Sequence, residues 1–490
     1  MCDIVMKQLS YQRSNRALGF PAVFGLFLWS SGCSRKTIEA LHQCGLSVSY
    51  SSVLNNIASL ANHCMQLAVQ IGSGIHVFCY DNVNLSTSVF VEQRGSSGPA
   101  KVTSGTLGII YKVRNGIPEN MLLGPIIERF KHTKGLEFKE DIRPTFEQTL
   151  AFISQIKIYL VDVLLKYSSE FKFYKKGCKL NHNTRRRIPS GYRTEQYPIR
   201  ITTIEEASTR GNLLFHDDVY ITQLKQTHEQ LSKYAIPSIN DQLTNSRIRS
   251  AQILRARDSN PWTRREVFQL GIGLFHLCLN LVWALLHIHR GTLEQTGSLT
   301  YFFSVLQKTR LGSEHPDYHA LLSTLMQILD GLLLNAWRNE CGFATLAEFA
   351  RSKPSNDTLL NLAEKIVKGY AIPLATIDED SDDQSGSDTE GDVEAALGSH
   401  SINTAQRPRR TSMELDPDKD RMHQNLRLLT RDLLYVAELV DAVSDGDFGR
   451  IEDFLPQLAM LFRGAGSNNY CTEILHFIFN LKHVWTPQFA

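Results

Sequence analysis

Two aspartates that each close a short apolar run are the residues whose placement most suggests chemistry. Asp81 follows the run 75–80, and Asp241 follows the run 235–240. A carboxylate at the end of a buried strand is a common ligand for the divalent ions of enzymes that act on nucleic acids. The separation, 241 − 81 = 160 residues, means that only the fold can bring the two together. In the alternative interpretation, each aspartate simply begins an ordinary turn.

Basic residues accompany this pair in two places. Two arginines follow Asp241 closely, and the segment 171–193 mixes basic and aromatic side chains, which suits contacts to a phosphate backbone and to bases. We predict nucleic-acid binding by Lys175, Lys176, Arg185, Arg186, Arg187, Arg247 and Arg249. A solvated loop and a solvated helix face are the alternatives.

Composition narrows the class of protein. The chain has 490 residues, with 52 Lys+Arg against 50 Asp+Glu, so a nucleic-acid surface would have to come from local clustering of charge. Nine scattered cysteines without a Cys-x-x-Cys pair argue for a reducing compartment and against disulfides or a zinc ribbon. We therefore expect an intracellular protein, nuclear or cytoplasmic. No phosphate-binding loop, Gly-x-Ser-x-Gly elbow, His-Glu-x-x-His or dinucleotide fingerprint is present, which disfavours those enzyme classes.

Two apolar stretches could be mistaken for membrane elements. Residues 17–30 have the layout of a secretory signal, but they run into an amphipathic pattern and the cysteine usage is not secretory. Residues 270–287 are interrupted by His276, Asn280 and His287, so we predict a buried helix there. We expect no association with a membrane.

Hydrophobic periodicity predicts an α/β protein that is predominantly helical. Five segments are expected along the chain. They are an N-terminal helical region at 1–70, the first part of a core at 71–246, a helical insertion at 247–375, a disordered acidic and basic linker at 376–418, and a C-terminal helical part at 419–490. The linker has almost no large apolar residues and cannot offset its ordering entropy.

Several short motifs together resemble a family. They are Tyr80-Asp-Asn82, Asp241-Gln-Leu-Thr244, Gly273-Leu-Phe-His276, Gly446-Asp-Phe-Gly449 and Gly464-Ala-Gly-Ser-Asn-Asn-Tyr470. With their neighbours they resemble a fungal domain of unknown function that is expanded in mushroom-forming fungi and is similar to transposon-derived proteins. More loosely, the chain is similar to transposases of the hAT and Mutator type.

This resemblance implies a ribonuclease-H-like mixed sheet, split by the helical insertion and completed by the C-terminal part. It implies a site of Asp81, Asp241 and Glu473 that would bind Mg²⁺ or Mn²⁺ and catalyse cleavage or transfer of DNA strands. Glu340 and Glu294 are the alternative third acids. His276 matches the histidine of a Cys-x-x-His element whose cysteine is replaced here by Gly273.

The resemblance leaves two functions open. The protein could be an active nuclease or transposase with DNA as its partner, or a domesticated, catalytically inactive scaffold that binds DNA or protein. A homo-oligomer is compatible with either function, and no small-molecule substrate is evident. We recognise no zinc finger or other DNA-reading module ahead of the core.

Overall fold

The computed structural model describes residues 2–86, 102–171, 174, 180, 182–371 and 421–490. The predicted disordered linker at 376–418 lies outside the described residues. Lys175 and Lys176 of the predicted nucleic-acid-binding set lie outside them as well.

The described chain is mostly helical and contains one small mixed sheet, which confirms the predicted α/β, predominantly helical class. The helices before the third strand are α1 (Cys2–Arg13), α2 (Gly19–Ser30), α3 (Arg35–Gln43), α4 (Tyr50–Gly72), α5 (Leu123–His132) and α6 (Phe146–Tyr167). The helices after it are α7 (Thr209–Asp217), α8 (His228–Leu231), α9 (Gln242–Leu254), α10 (Leu274–His289), α11 (Leu299–Val305), α12 (Tyr318–Glu340), α13 (Leu346–Arg351), α14 (Asn356–Tyr370), α15 (Arg421–Asp445), α16 (Phe448–Gly464) and α17 (Asn468–Phe479).

Polar side chains define where several helices begin. Ser34 accepts a hydrogen bond from the backbone N–H of Thr37 at the start of α3. Ser49 caps α4 in the same way. Each cap satisfies a backbone donor that has no partner within the helix.

Five strands form the sheet. They are β1 (His76–Ser86), β2 (Val102–Lys112), β3 (Gln196–Pro198), β4 (Ile236–Asn240) and β5 (Phe268–Ile272), in the spatial order β3-β2-β1-β4-β5. β1 and β2 are antiparallel. β1 is parallel to β4, with Phe78 opposite Ser238, so a strand from early in the chain lies beside one from much later.

The strand β5 differs from the sequence expectation. The apolar stretch 270–287 was predicted to be one buried helix, but the structure divides it into the end of β5 and the beginning of α10, with Gly273 as the N-cap. β5 is buried at four of its five positions. A strand buried on both faces has no alternation of polar and apolar residues, so its sequence resembles that of a buried helix.

The chain divides into two compact units. The first, the sheet unit, contains residues 1–125 and 193–271, and the second, the helical unit, contains 126–192 and 272–490. A cluster of aromatic rings fills the core of the sheet unit. Its members include Phe78, Tyr80, Phe215, Tyr220, Trp262 and Phe268.

Two described helical segments are long and apolar enough to cross a membrane. They are 138–167 and 318–340, and about half of each apolar window is buried inside the protein. Core helices of soluble proteins can be equally long and apolar, so the length and composition of these two helices are weak evidence for a membrane span.

Candidate metal centre

The structure places Asp81 and Asp241 at the same level on neighbouring chain segments. Parallel strands advance together, so the pairing of Phe78 with Ser238 brings residues 81 and 241, each three positions further on, opposite one another. The backbone N–H of Tyr80 donates to Oδ1 of Asn240 at 3.3 Å, which supports this register. Adjacent strands lie about 4.8 Å apart, so this register places the backbones of the two aspartates side by side.

Each aspartate has a local hydrogen bond that orients it. Asp241 is the N-cap of α9, and its Oδ1 accepts from the backbone N–H of Thr244 at 2.7 Å. Asp81 is exposed, and its Oδ1 accepts from the N–H of Asn82 at 2.8 Å. Asp241 thus stabilises the start of α9 through one oxygen and keeps the other for a ligand.

A third carboxylate, Glu206, joins the pair. It lies just before Ser208, the N-cap of α7, and is only 2 % exposed. It accepts a hydrogen bond from the hydroxyl of Thr244 at 3.2 Å and another from the backbone N–H of Asn82. The two donors adjoin Asp241 and Asp81 respectively, so Glu206 is held between the two aspartates.

The pKa of Glu206 also indicates that Glu206 lies close to Asp241 and Asp81. Burial, and after it the negative charges of Asp241 and Asp81, raise the pKa of Glu206 to about 8, against the opposing effect of the hydrogen bonds from Thr244 and Asn82. A buried carboxyl beside other carboxylates holds its proton because ionisation would concentrate charge in a poorly solvated space. A bound cation would remove that penalty.

A buried polar network lies directly behind the aspartates. The hydroxyl of Tyr80 donates to Oδ1 of Asn212 at 2.6 Å and lies 2.9 Å from Nε2 of His216. Nδ2 of Asn240 donates to Ser238 and, at 3.2 Å, to Asn245. Tyr80 and Asn240 immediately precede the two aspartates, so this network fixes the backbone that carries both.

Glu206 predicts a specific pH dependence of stability in metal-free protein. The pKa of Glu206 in the folded chain is higher than the value near 4.3 that a glutamate has in an unfolded chain. Between these two pKa values the folded state therefore binds more protons than the unfolded state. The contribution of Glu206 to the free energy of unfolding thus falls as the pH rises from about 4.5 to 8. We expect Glu206→Gln to gain stability relative to wild type as the pH is raised from 5 to 8 in EDTA. Urea denaturation at both pH values measures it.

The exposed neighbour Glu205 is the matched control. Glu205→Gln should leave the pH dependence unchanged. Equal pH slopes for wild type and Glu206→Gln would contradict the burial of an ionisable Glu206.

The third acids named from the sequence all lie in the helical unit. Glu473 is on α17 and is 2 % exposed. Glu340 is paired with Lys365 at 2.7 Å, which lowers the pKa of Glu340. Glu294 is exposed, and His276 is half-buried in the first turn of α10. The role of Glu473 as a ligand stays a prediction, whereas Glu206 lies in the same unit as both aspartates.

Arg247 and Arg249 lie on α9, the helix that Asp241 caps. Both are half-buried. Arg249 lies eight positions after Asp241, a rise of about 12 Å along the helix, so this basic segment begins near the candidate centre.

The arginine-rich segment 185–187 is bound within the helical unit. Arg185 pairs with Asp453 at 2.8 Å, Arg186 with Glu452 at 2.8 Å, and Arg187 with Asp445 at 2.9 Å. These pairings give the three arginines a structural role. Their predicted binding of nucleic acid stays a prediction.

The Gly-Asp-Phe-Gly motif at 446–449 explains this attachment. The carboxylate of Asp447 accepts the backbone N–H groups of Arg185 and Arg186 at 2.9 and 2.7 Å. A Cβ on Gly449 would lie 2.7 Å from Cβ of Arg185, so only glycine lets the segment approach. The motif therefore holds residues 185–187 in place through the carboxylate of Asp447 and the close approach at Gly449.

Within the described ranges, one group of three side chains brings its ligand atoms within 4.8 Å of one another: His182, Glu438 and Asp441. The guanidinium of Arg450 already donates to both oxygens of Glu438 at 2.8 Å and to Asp441 at 2.7 Å. A metal ion there would have to lie beside this buried cation. The group is best described as an internal ion-pair network.

These features define the class of protein as mostly helical α/β, with a carboxylate cluster on a small mixed sheet. The chain belongs to the family of unknown function DUF6589, whose model matches residues 131–490. Asp241 and Glu206 lie within the matched region, and Asp81 precedes it. No curated protein and no solved structure matches the chain. The predicted resemblance to a domain of unknown function is confirmed.

Proposed function

We propose that this protein is a transposase-derived, divalent-metal-dependent enzyme that cleaves or transfers DNA strands, with Asp81, Asp241 and Glu206 as the metal-binding residues. The observation that supports it is the proximity of three carboxylates in the sheet unit. Two stand at the same level on neighbouring parallel segments, and the third is buried between the groups that flank them.

The donor set fits Mg²⁺ or Mn²⁺. All three side chains offer carboxylate oxygens, which these ions prefer. Within the described part of the chain, neither Asp241 nor Glu206 forms an ion pair, and the charge of Asp241 disfavours ionisation of Glu206. A divalent cation would balance this excess of negative charge.

The sheet supports a ribonuclease-H-like core as part of the proposal. Its first strand lies between an antiparallel β2 and a parallel β4, in the order β3-β2-β1-β4-β5. In ribonuclease-H-like sheets the first strand and a later strand lie side by side and present carboxylates together. This part of the argument is an analogy of fold.

Each acid has a distinct role in the proposed reaction. Divalent ions held by these residues would supply Lewis-acid activation of a phosphodiester and of a water molecule. Asp81 is exposed and therefore open to a substrate, while Asp241 offers the oxygen that does not cap α9. Glu206 is held in one orientation by Thr244 and Asn82. Arg247 and Arg249 would contact the DNA backbone, and the protein would act in the nucleus or cytoplasm.

The test is nicking of supercoiled plasmid by purified protein in Mg²⁺ or Mn²⁺. We expect activity that EDTA abolishes and that Asp81→Ala and Glu206→Ala lose, while Glu205→Ala, beside Glu206 but exposed, retains it. Activity that persists unchanged in Asp81→Ala would refute the mechanism.

The second candidate is a catalytically inactive scaffold that retains the fold. One observation favours it: among the described residues, the acids of the candidate centre are not a group whose ligand atoms all lie within 4.8 Å of one another. Metal-independent binding without nicking would support this alternative.

A further inference from the structure

The first four helices enclose a small core of their own within the sheet unit. Its buried members are Tyr11, Leu28, Ile38, Val48 and Val53, and apolar residues of α2, α3 and α4 pack around them. The helices α3 and α4 are joined by the short segment 44–49, in which Gly45 has a left-handed φ of +72° and Ser49 caps α4. Two helices joined by a short connection that contains glycine form a common supersecondary motif, and the connection here has six residues.

The turn between α3 and α4 is fixed from three sides. Gln8 of α1 donates to the carbonyl of Cys44 at 2.6 Å, which caps the end of α3. The carboxylate of Glu39 accepts the N–H of Tyr50 at 3.1 Å, joining α3 to the first turn of α4. A Cβ on Gly25 would lie 2.8 Å from Oγ of Ser47, so α2 packs directly against the turn. The mutual orientation of α3 and α4 is therefore set by tertiary contacts.

The start of α4 presents amide side chains to solvent. Asn55 is exposed and Asn56 half-buried, and neither side chain makes a hydrogen bond with any residue that the structure describes. Asparagine can hydrogen-bond to adenine through both N6 and N7 in the major groove. Unused amide groups on the first turns of the second helix stand where such motifs read bases.

Basic residues flank this surface. Arg35 and Lys36 are exposed at the start of α3 and form no ion pair within the described ranges. The guanidinium of Arg35 lies 5.5 Å from the ring centroid of Tyr50, so it adjoins the first turn of α4. Residues 1–75 carry five basic side chains and two acidic ones, a balance that suits a polyanion.

We propose that α3 and α4 form a helix-turn-helix that binds double-stranded DNA, with the first turns of α4 in the major groove and the start of α3 against the phosphate backbone. Asn55 would read a base, and Arg35 and Lys36 would contact phosphates. This binding does not depend on the proposed metal chemistry.

The far end of α4 attaches this module to the sheet. A Cβ on Gly72 would lie 3.1 Å from Leu224 and 3.6 Å from Ile110, and Asn62 accepts from Arg200 at 2.9 Å. β1, which carries Asp81, begins four residues after α4 ends. DNA bound by α4 would thus be held at a fixed distance from the candidate centre.

The experiment is selection of 25-base-pair duplexes from a random pool by the full chain in EDTA, followed by fluorescence anisotropy with the selected duplex. We expect enrichment of a sequence motif and about tenfold weaker binding by Asn55→Ala, the loss of one bidentate contact. Lys36→Ala should weaken binding to all duplexes alike and reduce the salt slope of the binding constant by about one.

Two variants serve as controls. Gln70→Ala removes an exposed polar side chain at the other end of α4, and Lys308→Ala removes an exposed charge in the helical unit; both should bind as wild type does. Circular dichroism melting verifies that Asn55→Ala is folded. Selection that enriches no sequence, or equal affinity of Asn55→Ala and Gln70→Ala, would overturn the proposal. Because EDTA is present, neither result bears on metal-dependent nicking.

Discussion

Replacing Arg450 with alanine is expected to lower the free energy of unfolding by about 3–5 kcal/mol, the cost of leaving buried charges unpaired. The Arg450 side chain is fully buried and contacts the carboxylates of Glu438 and Asp441 at 2.8 and 2.7 Å and that of Asp445 at 3.1 Å. Glu438 is itself buried, and burial raises its pKa to about 7 even with Arg450 opposing the rise. Urea denaturation followed by circular dichroism measures the loss.

The loss should depend on pH. Without Arg450 the pKa of Glu438 rises further, so the carboxyl protonates and part of the penalty disappears in acid. The destabilisation by Arg450→Ala should therefore be smaller at pH 5 than at pH 8. Arg186→Ala is the control, because the pair of Arg186 with Glu452 is largely exposed and should contribute less than about 1 kcal/mol. A loss from Arg450→Ala no larger than that of the control would contradict this description of the network.

Asp241 should show two separable functions. Asparagine caps helices about as well as aspartate, so Asp241→Asn should keep the hydrogen bond to the N–H of Thr244 and change stability little. It replaces the charged ligand, however, and we expect nicking to fall at least about 100-fold, since even residues that only support metal ligands cost 10- to 100-fold. Plasmid nicking and urea denaturation of the same preparation measure the two effects.

Asp241→Ala completes the comparison. It removes both the cap and the ligand, so nicking should fall as in Asp241→Asn and the free energy of unfolding should drop by about 1 kcal/mol. Full activity in Asp241→Asn would show that Asp241 is only a helix cap.

The sequence predicts that Asp81 and Asp241 each close a strand because both follow short apolar runs, but only the family resemblance implied that the two strands lie side by side. Such runs bounded by polar residues indicate buried strands, and buried strands close to one another present their ends together. The N-terminal helices were predictable as well, since their hydrophobic periodicity is local.

Glu206 could not be found in this way. It lies in a polar segment beside Glu205, and its burial depends on contacts distant in the chain: Thr106 bonds to the carbonyl of Ile204 at 2.6 Å, and Thr244 bonds to Glu206 itself. The one local signal was Ser208, which caps α7 and therefore places Glu206 immediately before a helix. A search for acids that precede helix caps would have included it.

The ion pairs of the arginine-rich segment 185–187 with acidic residues of α15 and α16 could not be predicted from the sequence either. The partners of Arg185, Arg186 and Arg187 are 258 to 268 residues away. When the acidic partners of a basic segment are so distant in the sequence, the segment alone predicts a loop that binds nucleic acid. The Gly-Asp-Phe-Gly motif belongs to the family-like motifs of the sequence, and its structural role is evident only in the folded chain.

The central claim is that Asp81, Asp241 and Glu206 bind a divalent ion, and titration calorimetry of metal-free protein with Mn²⁺ tests it most directly. We predict binding by wild type, at least about tenfold weaker binding by Glu206→Gln, and unchanged binding by His182→Ala, which removes a member of the other acidic group. Binding that is intact in Glu206→Gln but lost in His182→Ala would place the ion elsewhere, and no binding by wild type would contradict the claim outright.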